Sequence, residues 1–200
     1  MLMVKKKDGS KRIVIDYRKL NTNTLLDDYP IPRIDDTLDR LEGKALFTTL
    51  DATDGFWQIL MKGLSKDYTG CTVQGVYYRW RVMPMGLKGS PLTFQRAMHH
   101  ILAELVGKIC LVYIDDVIVF GKDEEEHDRN LETVLQRLTK FNVKLKPKKC
   151  KVGFEKTGFL GFVVSKEGVS MDPEKTKAIR RITEPKTVKE LRRFLESSRT

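Results

Sequence analysis

The fold is decided by Leu111-Val112-Tyr113-Ile114-Asp115-Asp116-Val117-Ile118-Val119-Phe120. Two adjacent carboxylates lie between two apolar runs that favour β-structure, and each run is long enough to form a buried strand. We therefore expect a strand on each side and a turn that carries Asp115 and Asp116. Because two like charges at the junction of buried strands are unfavourable, this turn needs a positively charged partner.

A third carboxylate is available at the end of another predicted strand. Asp51 directly follows the apolar run 45–50. Together with Asp115 and Asp116 it could hold a pair of divalent cations, and two metal ions are the means by which polymerases transfer nucleotidyl groups. The alternative is an ordinary Asp-rich turn, which is common in proteins. The Asp pair alone leaves this alternative open.

Composition indicates an anionic partner without identifying it. The chain has 200 residues, 40% hydrophobic, which can support a substantial core. Its 37 Lys and Arg residues exceed 27 Asp and Glu residues, for a net charge of +10. Such an excess favours nucleic acid, since contacts to phosphates release counterions. A merely basic and well-hydrated surface explains the charge equally well.

Several protein classes are not expected. Cys71, Cys110 and Cys150 are widely spaced and odd in number, which argues against a closed disulfide framework and favours a reducing, intracellular setting. The histidines have no Cys or His partner at zinc-ligand spacing. We expect no transmembrane helix, because no apolar run approaches about 20 residues. In the N-terminal segment the charge follows the short apolar run, so a signal peptide is not expected.

The order of the predicted elements favours an α+β fold with a ferredoxin-like antiparallel sheet. Ser90 as N-cap and Pro91 at the first helical position predict a helix whose buried stripe includes Gln95. Asp123 and Glu126 form a plausible capping pair for a long helix. The other elements expected are strands over 4–7, 12–16, 45–51, 71–73, 76–82 and 159–165, and helices that begin near 34, 173 and 188.

A series of motifs in order along the chain resembles one enzyme family. These motifs are Val4-Lys5-Lys6-Lys7-Asp8-Gly9-Ser10, Asp16-Tyr17-Arg18-Lys19-Leu20-Asn21, Tyr29-Pro30-Ile31-Pro32-Arg33-Ile34-Asp35-Asp36, Met83-Pro84-Met85-Gly86-Leu87, Pro91-Leu92-Thr93-Phe94-Gln95, Tyr113-Ile114-Asp115-Asp116, Phe159-Leu160-Gly161-Phe162 and Val188-Lys189-Glu190-Leu191-Arg192-Arg193-Phe194-Leu195. Together they resemble reverse transcriptases, in particular the Pol polyproteins of gypsy-class long-terminal-repeat retrotransposons and related retroviruses. The resemblance spans essentially the whole chain and is far more specific than the Asp pair alone.

The resemblance implies a right-hand polymerase fold with a ferredoxin-like, RRM-like palm sheet. Fingers would comprise residues 1–25 and 62–89, lacking their N-terminal part. The palm would comprise 26–61 and 90–166, and a truncated thumb would begin at 167–200. In the family this domain is joined to ribonuclease H, protease and integrase in one polyprotein.

The resemblance also assigns the catalytic residues. Asp51, Asp115 and Asp116 would form the palm's catalytic and metal-binding triad, holding two Mg²⁺ ions for which Mn²⁺ is a possible substitute. Hard oxygen ligands of this kind suit Mg²⁺. The implied reaction is nucleotidyl transfer from a deoxynucleoside triphosphate to a primer 3′-hydroxyl on an RNA or DNA template.

The residues that the resemblance assigns to the incoming triphosphate are Lys6, Arg12, Asp54, Gly55, Phe56 and Met85. Phe56 would be a steric gate that occupies the space of a ribose 2′-hydroxyl, although simple core filling explains it too. Lys6 and Arg12 would bind the phosphates through a point charge and a fork of donors. For these two residues the alternative is a solvated hairpin.

The resemblance assigns a further set to nucleic-acid binding, namely Gly86, Lys88, Pro91, Tyr113, Lys148, Lys149, Phe159, Leu160 and Gly161. The basic cluster around Lys148 and Lys149 could equally be a solvated run of charge. The implied partners are an RNA template, a DNA primer or template and deoxynucleoside triphosphates, with no membrane. The implied location is cytoplasmic, in virus-like particles, with the nucleus as a second site.

Two further hypotheses stand beside a polymerase core. A non-catalytic nucleic-acid-binding protein derived from the same fold would keep the positive charge but bind without incorporating nucleotides. A decayed fragment without function would not unfold cooperatively.

Overall fold

The computed structural model describes residues 2–5, 9, 11–173, 177, 187, 188 and 192. The strands are β1 (Leu2–Lys5), β2 (Lys11–Val14), β3 (Leu46–Asp51), β4 (Cys71–Val73), β5 (Val76–Tyr78), β6 (Cys110–Tyr113), β7 (Asp116–Gly121), β8 (Lys151–Phe154), β9 (Lys156–Phe159), β10 (Phe162–Ser165) and β11 (Gly168–Met171). The α-helices are α1 (Arg18–Thr22), α2 (Ile34–Asp39), α3 (Ser90–Leu102) and α4 (Glu124–Lys140). Short 3₁₀ helices cover Gly55–Gln58, Gly63–Thr69, Ala103–Leu105 and Pro147–Lys149.

A four-stranded antiparallel sheet, in the order β6-β7-β3-β8, carries the acidic residues. Its central strand β7 is buried along Val117–Gly121, and successive side chains alternate between two hydrophobic clusters. Val117 and Val119 pack with residues of α3 and α4, whereas Ile118 and Phe120 pack with residues of α2, β9 and β10. Because both faces are covered, β7 reads as one continuous apolar run.

The sheet confirms the predicted strand–turn–strand over the Asp pair. Strands β6 and β7 pair in antiparallel register, with Tyr113 opposite Asp116, and residues 114–115 form the turn. The predicted α+β class is likewise confirmed, since helices and antiparallel sheets are combined in one fold. The capping of α4 also follows the sequence, because the Asp123 carboxylate accepts a 2.8 Å hydrogen bond from the Glu126 amide.

Some predicted element bounds were wrong. Ser90 is not the N-cap of α3: Gly89 takes that position, while the Ser90 hydroxyl donates to the Pro84 carbonyl at 3.1 Å. The single strand expected over 159–165 is the hairpin of β9 and β10, turned at Leu160 and Gly161 with φ of 51° and 80°. The strand expected over 76–82 ends at Tyr78.

Within the described residues, three smaller sheets accompany the central one. The hairpins β1-β2 and β4-β5 are each two-stranded, and β9, β10 and β11 form a three-stranded antiparallel sheet. Most of the residues in the helices expected near 173 and 188 lie outside the described residues. In the part of the chain that is described, no helix combines the length and apolar character needed to cross a membrane.

Candidate active site

The sheet brings the early and the late carboxylates together. Asp51, the last residue of β3, is the register partner of Asp116, the first residue of β7. Cross-strand partners on one face of an antiparallel pair have Cβ atoms about 5 Å apart. Asp115 lies in the adjacent turn, directly after Ile114, whose φ is 55°. The structure thus places all three predicted acidic residues at one end of the central sheet.

Lys149 supplies a positive charge at this end of the sheet. Its Nζ lies 2.9 Å from Oδ2 of Asp51. The backbone holds this segment in place, because the Lys146 amide donates to the Asp51 carbonyl at 2.9 Å. The Thr53 amide likewise donates to the Lys144 carbonyl at 2.8 Å. The chain that leads into β8 is therefore bound along the end of β3.

The amide of Gln58 reinforces the same junction. Its Nε2 donates to the carbonyls of Thr53 and Lys144 at 2.7 and 2.9 Å, and its Oε1 accepts from the Lys144 amide at 2.8 Å. Gln58 belongs to the 3₁₀ helix that follows Asp51, so one side chain fixes the position of both segments beside the carboxylates.

The electrostatics at this site disfavour the ionised form of Asp116. Partial burial raises the pKa of Asp116, and the negative charges of Asp115 and Asp51 raise it further, while Lys149 opposes them. The hydrogen bond to Asp51 raises the pKa of Lys149. Asp116 as a whole residue is still exposed to solvent, so its burial is only partial.

A cleft of about 320 Å³ opens beside Asp51 and Asp116. Its walls also include Lys149, the β9-β10 turn and Asp172, whose amide donates to the Gly161 carbonyl at 3.4 Å. Phe159, Leu160 and Gly161, predicted to contact nucleic acid, therefore line the same cleft as two of the predicted catalytic carboxylates.

The segment predicted to contact the nucleotide lies against the acidic turn. A Cβ added to Gly55 would lie 3.6 Å from Asp115 Cβ and 3.3 Å from the Phe94 ring, so only glycine fits without displacement. Asp54, the preceding residue, has a φ of 49°. Phe56 is half-buried and meets Phe94 edge-on at 5.7 Å between ring centroids. This half-burial is compatible with a gate and with core filling alike.

Asn21 organises the loop that contains Gly86 and Lys88. Its Nδ2 donates to the Gly86 carbonyl at 2.8 Å, and its Oδ1 accepts from the Lys88 amide at 2.9 Å. Gly86 has a φ of 95° and approaches the Tyr17 ring, where a Cβ would lie 3.6 Å away. Met85 lines a separate small pocket with Tyr17.

The other predicted site residues are placed as follows. Tyr113 is half-buried and packs on the cluster that contains Ile118, and Pro91 is the second residue of α3. Lys148 is exposed in the 3₁₀ helix Pro147–Lys149. Lys6 lies outside the described residues, and Arg12 is described only through its backbone, which pairs with Val4.

Gln95 was expected in the buried stripe of a helix, but its hydrogen bonds to the backbone near the acidic turn were not predicted. The Gln95 side chain is fully buried, donates to the Val112 carbonyl at 3.1 Å and accepts from the Ile114 amide, so it binds the end of β6 and the first residue of the predicted metal-binding turn. A polar residue in an otherwise apolar stripe was the available signal, because buried amides require partners. The Lys149–Asp51 pair joins residues 98 positions apart, for which no local pattern exists.

The donor set at the end of the sheet is suited to a hard divalent cation. Carboxylate oxygens are the ligands that Mg²⁺ prefers, and the mutual repulsion of these carboxylates would be relieved by a cation. Lys149 already provides such a charge at Asp51. As placed, no three Asp, Glu, His or Cys side chains within the described residues form a group that could hold a metal ion.

Comparison with known proteins agrees with this fold. Residues 4–164 match the family model described as reverse transcriptase (RNA-dependent DNA polymerase). The chain is 42% identical to the retrovirus-related Pol polyprotein from transposon gypsy and 43% identical to that from transposon opus, both of Drosophila melanogaster. These matches cover 93% and 95% of the chain but 18% and 19% of the polyproteins, so the chain spans less than one fifth of these relatives.

Solved structures show the same relationship. The chain superimposes on the foamy viral protease–reverse transcriptase in complex with double-stranded DNA with a TM-score of 0.88, at 29% identity, covering 98% of this chain and 41% of that one. For the same viral protein in complex with an RNA/DNA hybrid the TM-score is 0.84, at 29% identity, covering 98% and 26%. By family model, sequence relatives and fold, the chain belongs to the reverse transcriptase family.

Proposed function

We propose that this chain is the RNA-directed DNA polymerase core of a retrotransposon Pol polyprotein. It would transfer a nucleotidyl group from a deoxynucleoside triphosphate to a primer 3′-hydroxyl on an RNA or DNA template. The observation that carries the proposal is the register of β3 and β7, which sets Asp51 opposite Asp116 and beside the Asp115 turn in a member of this family.

The proposed cofactor is Mg²⁺, as two ions, with Mn²⁺ as a substitute, held by Asp51, Asp115 and Asp116. When bound, the metal supplies positive charge that lowers the pKa of the primer hydroxyl and stabilises charge on the transferred phosphorus. The protein's own contribution is to hold three carboxylates at one end of a rigid sheet. Lys149 neutralises part of their charge before a cation arrives.

The nucleotide is proposed to lie over the segment 54–56, which is adjacent to Asp115. Phe56 would close the space next to the sugar 2′-position and so favour deoxynucleotides. Lys6, Arg12 and Met85 keep their proposed role in binding the triphosphate.

Primer and template are proposed to lie across the cleft and the Asn21-bound loop. The proposed contacts are Gly86, Lys88, Pro91, Tyr113, Lys148, Lys149, Phe159, Leu160 and Gly161. The net charge of +10 supports this assignment, because phosphate contacts with basic side chains provide most of the affinity for nucleic acid. The foamy viral relatives were solved with an RNA/DNA hybrid and with double-stranded DNA, which supports the same partners here.

The proposed subdivision keeps fingers at 1–25 and 62–89, palm at 26–61 and 90–166, and the start of the thumb at 167–200. Because the curated relatives are polyproteins, we also propose that ribonuclease H, protease and integrase accompany this domain. The proposed location is cytoplasmic virus-like particles, with the nucleus as a second site.

Primer extension on a homopolymer template, with Mg²⁺ or Mn²⁺, tests the proposal. The parent chain should incorporate deoxynucleotides, and Asp115→Asn should reduce incorporation by at least ~100-fold, since one negative ligand is lost. Glu155→Gln is the matched control, because it removes a carboxylate near Phe154, which pairs with Phe47 at the other end of β3. Equal extension by Asp115→Asn and the parent would refute the assignment.

A second candidate is a non-catalytic nucleic-acid-binding protein of the same fold. Two observations favour it: the Lys149 ammonium is already paired with Asp51, and no three Asp, Glu, His or Cys side chains among the described residues form a group that could hold a metal ion. It predicts salt-sensitive binding of primer-template by the parent chain, with no incorporation under either metal.

A further inference from the structure

The amide of Gln95 has one possible orientation. The Val112 carbonyl can only accept a hydrogen bond and the Ile114 amide can only donate one, and both contact the same buried side chain. The NH₂ group of Gln95 must therefore face Val112, and its oxygen must face Ile114. In a flipped amide, the Gln95 oxygen would face the Val112 carbonyl oxygen, and its NH₂ group would face the Ile114 N–H.

This orientation determines the protonation of His99. The second N–H of Gln95 points at Nε2 of His99, 2.8 Å away, and therefore needs an acceptor there. Nε2 must be unprotonated, so a neutral ring carries its proton on Nδ1 and donates it to Tyr29 Oη, at 2.8 Å. Burial lowers the pKa of His99, in the direction that keeps the ring neutral.

Tyr29 is itself held in place at the far end of this chain of hydrogen bonds. The Arg96 guanidinium lies 5.0 Å from the centre of the Tyr29 ring, and Arg96 is ion-paired with Asp27. Tyr29 and His99 also meet edge-on, with centroids 5.9 Å apart. A chain of hydrogen bonds, called the relay below, therefore connects Tyr29 through His99 and Gln95 to the Ile114 amide.

The last member of the relay is the strained residue of the acidic turn. Ile114 is β-branched and has a φ of 55°, a conformation that such residues rarely adopt. A residue of this kind persists only where its surroundings hold it, and the Gln95 oxygen binds its amide. Asp115 and Asp116 follow directly, so the position of their carboxylates depends on this turn.

We propose that His99 is a positioning residue for the acidic turn, acting through Gln95 as the neutral Nδ1–H tautomer fixed by Tyr29. Its effect on catalysis rests on the proposed function, whereas its effect on the turn does not. His99 touches neither the carboxylates nor the cleft, so it orients the turn and takes no part in the chemistry.

Two amide substitutions separate the contacts of His99. The oxygen of a Gln side chain can take the place of Nε2, so His99→Gln keeps an acceptor for Gln95. The shorter His99→Asn places its amide group near Nδ1, where the NH₂ can donate to Tyr29, so it keeps only the side facing Tyr29. His100→Asn is the control, because this neighbouring histidine is exposed and packs on Phe141 instead.

The kinetic test is the split between kcat and KM for the incoming nucleotide. His99→Asn should lower kcat about tenfold and change KM less than about twofold, because one buried donor loses its partner. His99→Gln should recover most of the loss, and His100→Asn should match the parent. Equal damage by His99→Gln and His99→Asn, or none by His99→Asn, would overturn the proposal.

Two spectroscopic measurements test the proposal without catalysis. The ¹⁵N shifts of the His99 ring in the parent chain should report the Nδ1–H tautomer, and the Nε2–H tautomer would overturn the proposal even if His99→Asn fails to fold. Exchange of the Ile114 amide proton should be about tenfold faster in His99→Asn than in the parent. If neither the parent nor any variant extends a primer, but the His99 tautomer and the Ile114 exchange rates are as predicted, the proposed function fails and the positioning role stands.

Discussion

Replacing Lys149 with Met should tighten divalent-cation binding at the acidic site. Lys149 Nζ lies 2.9 Å from Asp51, and its side chain is 57% exposed against 29% for Asp51. Pairs this accessible to solvent are screened and contribute about 0.2–1 kcal/mol. An incoming cation must displace this contact, so removing it should increase affinity by about 1.4- to 5-fold.

Mn²⁺ titration of the purified chain without nucleic acid, followed by the loss of the free-ion EPR signal, measures this affinity directly. Lys148→Met is the matched control, since it removes the same charge one residue earlier. If general electrostatics dominated, the two variants would behave alike. We expect the Lys149 variant to bind Mn²⁺ more tightly than the Lys148 variant.

If Lys149→Met bound Mn²⁺ no more tightly than Lys148→Met, Lys149 would not compete with the cation for Asp51. Weaker binding would mean that Lys149 organises Asp51 for the ion instead of competing with it. Either result would show that the 2.9 Å contact is not an obstacle to metal loading.

Two further predictions concern single side chains of the site. Asp116→Asn should raise the melting temperature at pH 7, because the raised pKa of Asp116 means that its ionised form destabilises the folded chain. The difference from the parent should shrink as the pH falls through the raised pKa and disappear below the ordinary value of 3.8, where the parent carboxyl is also neutral, and a gain independent of pH would contradict the cause given. Phe56→Ala should reduce discrimination between deoxy- and ribonucleotides by at least ~10-fold in single-nucleotide incorporation. Unchanged discrimination would leave Phe56 as a core residue packed on Phe94.

The parts of the fold that were predictable are those with a local signal. The acidic hairpin has β-branched runs on each side of its turn, and the α4 cap has Asp123 at the required distance from Glu126. In both cases a short stretch of sequence contains all the interacting groups. The family resemblance then extended these local elements to a complete arrangement, which the comparisons confirm at the level of fold.

The errors arose where the local signal was compatible with more than one structure. Ser90 looked like an N-cap, but its hydroxyl is bound to the Pro84 carbonyl, so Gly89 takes that position. The run 159–165 looked like one strand because Leu160 is apolar, although it adopts a positive φ before Gly161. A Gly inside an apolar run was the available sign of a turn.

The supporting contacts of the site were the least predictable. Asn21, Gln58 and Gln95 each hydrogen-bond to backbone groups that are distant from them in sequence. Lys149 was expected to contact nucleic acid, whereas in the structure its ammonium forms an ion pair with Asp51. Amide side chains carry no periodic signal of their own, so only the three-dimensional arrangement identifies their partners.

Single-turnover incorporation of one deoxynucleotide by Asp51→Asn, beside the parent, tests most directly whether β3 and the acidic turn form one metal-dependent site. Asp51 is separated from Asp116 by 65 positions and meets it only through the register of β3 and β7. With Mg²⁺ we predict a rate at least ~100-fold below that of the parent, since the loss of this carboxylate removes one side of the site. Incorporation by Asp51→Asn at the parental rate would contradict the account.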